Sequence, residues 1–437
     1  MLFSNTSSIR FLLLLASCLT WLSCSDLLEI ENEDNIPFDE FLDSQEDVRE
    51  MVRGGYRALA EGNFMGGKIQ NMSELMADNM NADLVTNQDW LKHFNHRTDI
   101  FTSTTRDMMQ AGGKVIGRAN RALEFVPDFE FSTEEAQRLE GECKFLRAVG
   151  HFELVRMFAQ PFGFTSDNSH NGISVHTSSS IEPQPRVSVN QVYTQIISDL
   201  QDAIDLLPEE NGVYATSWAA RGYLAKVYFQ MNDFENAQMQ AGNVIENGGF
   251  RLDSIQFRFS RNGSPENVFY LVGTDGEGTD FDANGEQRNA YAPINQGRIQ
   301  LRDDFFLGEN AVDDLRGMAY YEGNNLIKFE TDNRQQAPLV HLTELLLIRA
   351  ESLAELDREL PTAIEDLSEV RERAGLTSVA QATPAEEIIT IARNERRYEL
   401  VGEGNRLHEL KRRAVLESPD LLIRGKDCDC PGMVGQI

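Results

Sequence analysis

Cysteine is scarce: the 437 residues contain five, and two of them, Cys18 and Cys24, fall within the first 24 positions. The other three, Cys143, Cys428 and Cys430, are an odd number, which excludes a disulfide framework. Cys428 and Cys430 stand closer together than a zinc-binding pair, and no nearby histidine completes a site. Cys143 lies on an apolar helical face and is expected in the core. Lysine is scarce as well, supplying only eight of the 40 basic residues, against 70 Asp and Glu and a net charge of −30. A surface that acidic repels phosphate backbones and anionic headgroups, which excludes nucleic-acid binding and membrane adhesion through a basic patch. No stretch reaches the roughly 18 uninterrupted apolar residues of a membrane span. Gly-x-Ser-x-Gly, His-Glu-x-x-His and Walker motifs are missing, and Gly276-Glu-Gly278 lacks the third glycine of a dinucleotide fingerprint. No cofactor is expected. So many carboxylates leave a glycosidase pair open by counting alone, but binding without chemistry is the preferred reading.

What is present begins with a distinct leader. Met1 to Arg10 is mostly polar with one positive charge, Phe11 to Ser23 is apolar, and no acidic residue precedes Asp26. The apolar run is too short to span a bilayer and reads as a secretion signal over residues 1–23. Small residues followed by cysteine end it, as in bacterial lipoproteins, where that cysteine carries a diacylglyceryl thioether. Leu15-Ala16-Ser17-Cys18 has the better recognition sequence, and Trp21-Leu22-Ser23-Cys24 has the full-length apolar region before it. Cys24 is the preferred anchor.

Helical periodicity dominates the remainder. Apolar spacing predicts helices over Glu46 to Leu59, Ala111 to Glu124, Glu134 to Phe158, Val189 to Leu206, Ser217 to Met231 and Phe234 to Asn247. Ser44 and Asp47 form a capping signal before the first. Pro161, Gly163, Gly172, Pro183 and Pro185 mark Ala159 to Arg186 as a long loop. Leu224, Ala225, Tyr228 and Ala237 have the spacing of a tetratricopeptide repeat. Small residues let two antiparallel helices approach, and the larger ones fill the groove. Leu347 to Gly375 repeats the plan with Ala350, Ala354, Ala363, Leu367 and Val370, and residues 134–158 with 189–206 form a third pair, about the number such stacks need. Between Phe250 and Gln336 the composition shifts to Gly, Asn, Asp and aromatics, predicting loops with short strands such as Asn267 to Val272. A long irregular insertion of that kind is where function concentrates.

Four segments carry a family resemblance. They are Glu142-Cys-Lys-Phe-Leu-Arg-Ala148 with Phe152-Glu-Leu-Val-Arg-Met-Phe158, and Arg186-Val-Ser-Val-Asn-Gln-Val-Tyr193 leading to Ile197-Ser-Asp-Leu-Gln-Asp-Ala203. Next come Leu342-Thr-Glu-Leu-Leu-Leu-Ile-Arg-Ala-Glu351 with Val370-Arg-Glu-Arg-Ala-Gly-Leu376, then Ile391 to Gly404 with Leu410-Lys-Arg412. In this order they resemble the SusD/RagB-like outer-membrane lipoproteins, as does Cys24-Ser-Asp-Leu-Leu-Glu-Ile30 at the expected mature start. The resemblance implies an all-α tetratricopeptide-like scaffold with long irregular loops, a single domain over residues 24–437 with a ligand-binding insertion at about 250–336. It also implies lipid anchoring on the outer face of the outer membrane. There the protein would capture oligosaccharides or other nutrients for a TonB-dependent, SusC-like transporter barrel. Arg406 to Arg412 lacks the family's aromatic residues, the family's usual C-terminal close is missing, and the chain is short for the family. Trimmed ligand-binding loops are therefore expected. The alternative function is a surface scaffold gripping a protein or peptide partner.

Sugars present flat C–H faces edged with hydroxyls, so a saccharide site needs exposed aromatic platforms beside polar side chains. Trp90 stands in a polar, loop-like stretch, and Tyr291, Tyr320 and Tyr321 lie in the irregular region. These four are the candidate ligand-binding residues, with loop packing as the alternative for each. Trp218 opens a repeat helix and is assigned to the core. Asp280-Phe-Asp-Ala-Asn-Gly285 opens like a calcium loop, but position twelve is Tyr291, which excludes an EF-hand. A lesser calcium site and a solvated acidic turn both remain open there. His93 and His96 read as a surface pair without a third ligand. Glu395, Glu399 and Glu403 share a helix face at spacings of four, and Arg396, Arg397 and Arg406 are their expected partners in a structural ion-pair network. Asp314 with Arg316 is given a similar part.

Overall fold

The computed structural model describes residues 43–417 except 181, 256, 260–262, 274–282, 284, 292–297, 306–312 and 330–335. The chain divides into two compact units, residues 1–47 and 48–437. At the end of the first, the Ser44 amide donates to Asp47 Oδ2 at 2.9 Å and the Asp47 amide to Ser44 Oγ at 3.3 Å. This is the reciprocal cap predicted from the sequence.

The helices are α1 (Gln45–Leu59), α2 (Lys68–Met76), α3 (Gln88–Phe94), α4 (Ser103–Phe125), α5 (Thr133–Phe158), α6 (Val189–Leu206) and α7 (Ser217–Gln230). They continue with α8 (Phe234–Asn247), α9 (Gly285–Tyr291), α10 (Arg316–Ala319), α11 (Leu342–Glu355), α12 (Leu360–Arg373), α13 (Ala385–Glu399) and α14 (Arg406–Leu416). Short strands sit between them: β1 (Met80–Asn81), β2 (Asn171–Ser174), β3 (Arg186–Ser188), β4 (Asn267–Leu271), β5 (Gln300–Leu301), β6 (Tyr321–Glu322), β7 (Asn325–Leu326) and β8 (Ala337–His341). They pair antiparallel as β1–β5, β2–β3, β4–β8 and β6–β7. The stretch expected as a loop between α5 and α6 thus holds one strand and leads into a second, folded back as a ribbon.

Side-chain caps fix where the repeat helices begin. Ser188 and Gln191 form a capping box on α6, Thr216 accepts from the Ala219 amide, and Asp233 accepts from the Asn236 amide. The pairs α5/α6, α7/α8 and α11/α12 pack side by side, and α8 lies against α11, so the stack is continuous. Ala225, Ala237, Ala350 and Ala363 are fully buried at the seams, with Leu224, Leu367 and Val370 filling the grooves. Two glycines allow a close crossing of α4 on α5. A Cβ on Gly150 would stand 2.7 Å from Ile116 Cγ1, and one on Gly112 would stand 2.8 Å from Leu154 Cγ.

The irregular insertion is stitched to this stack by buried charge. Arg258 donates from Nε to Glu266 Oε1 at 2.8 Å, from Nη2 to Glu399 Oε2 at 2.8 Å and from Nη1 to Glu403 Oε1 at 3.2 Å. Arg316 donates from Nη2 to Asp314 at 2.6 Å and from Nη1 to Glu395 at 2.8 Å. Arg373, on α12, joins Glu266 at 2.9 Å and Glu399 at 2.6 Å. Lys328 Nζ reaches Glu403 at 2.7 Å. The three glutamates are therefore structural, with Asp314–Arg316 inside the same network, but their partners differ from those expected. Arg397 donates to Asn79 and Arg406 to Asp78, while Arg396 stands 3.5 Å from Glu344. Helical spacing tells which charges share a face, not what the fold lays against that face.

Burial alone raises the Glu399 carboxyl, but the guanidiniums of Arg373, Arg316 and Arg258 outweigh it and hold it at about 2, against an ordinary 4.5. Glu74 goes the other way. Burial lifts it to about 7, only partly offset by the Gly404 amide, which donates to its Oε1 at 3.0 Å.

Gly150→Val should destabilise by about 1–3 kcal/mol through overpacking against Ile116. Gly113→Ala, exposed and with nothing within 4 Å of the new Cβ, should stabilise by about 0.4–1 kcal/mol; urea unfolding reads both. Arg316→Ala strands Asp314 and leaves Glu395 with Arg371 alone, and should cost about 3–5 kcal/mol. The Glu399 contribution to stability should be present above pH 4.5 and fade as pH falls through about 2. Glu74 keeps its proton in the folded state, so its effect is a loss of stability as pH rises from 4.5 to about 7. Denaturation midpoints of Glu74→Gln across that window should lose this downward slope.

Candidate functional site

Of the four candidate residues, Trp90, on α3, is the one that is not buried. Asn87 Oδ1 starts that helix by accepting from the amides of Asp89 at 2.9 Å and Trp90 at 3.2 Å. Trp90 is half-buried, packs against the core on one side, and has Lys68 Nζ 5.7 Å from its ring centre. Beside it a tight turn joins α3 to α4. Asp99 Oδ1 accepts from the Phe101 amide at 2.9 Å and from Lys92 Nζ at 3.3 Å, and the Asp99 amide donates to Thr102 Oγ1 at 3.0 Å. Asp89 Oδ2 accepts from both the amide and the hydroxyl of Ser103 at 2.7 Å. The Ser103 hydroxyl, with the Ser103 and Thr104 amides, holds the Asp89 carboxyl below its ordinary range.

These bonds brace a turn whose tip is apolar: Ile100 is 91% exposed and Phe101 81% exposed. Neither was singled out from the sequence, although a signal was there. Phe101 precedes Thr102, the N-cap of α4, at the position where an apolar partner four residues into the helix would cover it. That partner is Arg106, so nothing in the local sequence pulls the ring inward. An exposed aromatic ring, on a turn that Asp89 and Lys92 tie to the helix carrying Trp90, offers an apolar face with polar groups nearby. That is the chemistry a sugar ring matches.

The three tyrosines do not join this surface. Tyr291 is fully buried and tilts against Phe329 with ring centres 6.0 Å apart. Tyr320 is 1% exposed, edge-on to Tyr321 at 6.0 Å, and the Tyr321 hydroxyl donates to the Tyr398 carbonyl at 3.2 Å. The expectation that they form an exposed platform is thus corrected. The ion pairs of Arg258, Arg316 and Lys328 hold the insertion against the stack, and its aromatic residues join the core of the helices.

His93 is likewise buried rather than on the surface, and burial pushes it down to about 4. Trp218 is half-buried against the core and Cys143 is fully buried, its thiol pushed up chiefly by burial. Cys18, Cys24, Cys428 and Cys430 lie outside the described residues, as do Asp280, Asp282 and Asn284 of the acidic turn. Among the described residues no group of three or more His, Cys, Asp and Glu is placed to hold a metal ion, and no helix is long and apolar enough to cross a membrane.

Two family models match the chain. One, described as starch-binding and associating with the outer membrane, covers residues 26–229, and the SusD family model covers residues 318–419. A relative from Formosa agariphila, SusD-like protein P2, is 25% identical across 92% of this chain and 90% of its own. A SusD superfamily protein from Bacteroides thetaiotaomicron superposes with a TM-score of 0.74 at 22% identity, covering 84% of this chain and 89% of that one. A laminarin-binding SusD-like protein superposes with a TM-score of 0.68 at 21% identity, over 88% of this chain and 95% of that one. The all-α repeat scaffold agrees with these neighbours, and neither family description names a reaction. The ordered sequence matches, the paired helices and these comparisons agree: the chain belongs to the SusD/RagB-like family.

Proposed function

We propose that this protein is a cell-surface glycan-binding lipoprotein, anchored in the outer membrane through Cys24, that captures oligosaccharides and passes them to a TonB-dependent, SusC-like transporter barrel. The observation that carries the reading is the turn that holds Phe101 in solvent, tied to the helix of Trp90 through Asp89–Ser103 and Lys92–Asp99. Exposing a large aromatic ring costs free energy that a saccharide's C–H face recovers. Asp89 and Lys92 supply the polar rim, and fixing the turn beforehand spares the ordering cost of binding. The laminarin-binding neighbour supports a β-glucan as the first ligand to try. Chemistry on the sugar plays no part in the proposal.

Titration calorimetry of the mature protein with laminarin- and starch-derived hexasaccharides tests the site. Phe101→Ala and Trp90→Ala should each weaken binding about tenfold, equivalent to about 1.4 kcal/mol. Val213→Ala, exposed elsewhere, should leave it unchanged. Unaltered affinity in both aromatic variants would remove this face from the site. Cys24→Ser should abolish metabolic labelling with a fatty acid and release the protein from outer-membrane fractions. Persistent labelling of that variant would move the anchor to Cys18. Co-purification with a barrel partner tests the delivery step.

A further inference from the structure

A cleft of about 420 Å³ opens between α12, the segment 374–383 and α13, with Asp314 and Arg316 at its back. It shares no residue with the Trp90 face. Its volume falls within the roughly 300–1,000 Å³ of small-molecule sites. One side is a single face of α13: Ile391, Asn394, Glu395 and Tyr398 recur at helical spacing and all line it.

The buried charges in the wall are matched among themselves, and Glu387 adds one exposed carboxylate. Glu395, 3% exposed, accepts from Arg316 Nη1 on one oxygen at 2.8 Å and from Arg371 Nη1 on the other at 2.7 Å. Arg371 also donates from Nε to the Thr377 carbonyl at 2.9 Å, which pins the segment forming the opposite wall. Arg316 is committed to Asp314 as well, through Nη2 at 2.6 Å. Apart from the solvated Glu387, little uncompensated charge is left to attract an ion, yet carboxylate lone pairs remain, suited to hydroxyl groups. Between these polar groups lie Val379 and Ile391. The half-exposed Tyr398 ring is braced from behind by the Arg316 guanidinium at 5.5 Å and by the edge of Phe305 at 5.7 Å. A fixed ring, apolar patches and neutralised acceptors in one cleft match a neutral polyhydroxyl ligand rather than a phosphate or a metal.

We infer that this cleft is a second saccharide subsite, taking one neutral sugar unit or the end of a chain. The inference rests on the reading that the protein takes glycans, but not on where the first site lies. Asn394 is exposed at the mouth, so Asn394→Trp should block entry without touching the core, and a thermal melt should confirm that the variant folds. The mature protein and its variants would be titrated with laminarihexaose and maltohexaose, and crystals soaked with whichever sugar binds. The expected result is two sites, one lost in Asn394→Trp and retained in Phe101→Ala, with sugar density against Tyr398. Full binding by Asn394→Trp together with an unfilled cleft in the soaked crystal would overturn the inference while leaving the Phe101 face standing. Loss of all binding in Asn394→Trp with none in Phe101→Ala would support the cleft and sink the face. No heat from either sugar with the wild-type protein would overturn both.

Discussion

Buried charge is the constraint around which the rest of the molecule is arranged. Glu266 and Glu399 lie in the interior and the Glu403 side chain is 7% exposed, and a carboxylate so placed is tolerable only where cations meet it in fixed geometry. Those cations come from far away in sequence: Arg258 and Arg316 from the insertion, Arg373 from α12, Lys328 from the stretch before β8. Once they are placed, the segments that carry them have little freedom left. The C-terminal helical part provides Glu399 and Glu403, the insertion provides Glu266 and most of the bases, and neither half of the network is satisfied alone.

The same constraint explains what could and could not be read from the sequence. Helices with alanine seams were legible because their signal is local: Ala225, Ala237, Ala350 and Ala363 recur at spacings set by the helix itself. The capping signal at Ser44 is equally local, and the caps at Ser188 and Asp233 follow the same rule in the structure. The long-range partners of Glu395 and Glu399 were not legible, since helical spacing assigns a face and says nothing of what lies opposite. Arg396, Arg397 and Arg406 were near in sequence and turned out to serve other acids.

The site residues divide along the same line. Tyr291, Tyr320 and Tyr321 were chosen for their irregular, polar surroundings, and that composition describes the chain around them rather than their own burial. The ion pairs turned the region inward. An apolar residue before a helix usually finds an apolar partner on the first turn, and Phe101 does not. The arginine at that place in α4 is the sequence fact that exposes it. Tertiary charge decided the first outcome and a missing local contact the second.

The network also changes how the stack comes apart. Arrays of helical hairpins ordinarily fray from an end, each repeat answering mainly to its neighbours. Here Arg258 grips Glu399 across 141 positions of chain, so opening α13 exposes unmatched charge in the insertion as well. Melting is expected as one transition, and assembly is slowed by the long closures it requires. For a molecule proposed to work outside the cell, that coupling would deny proteases the partly opened forms on which they act.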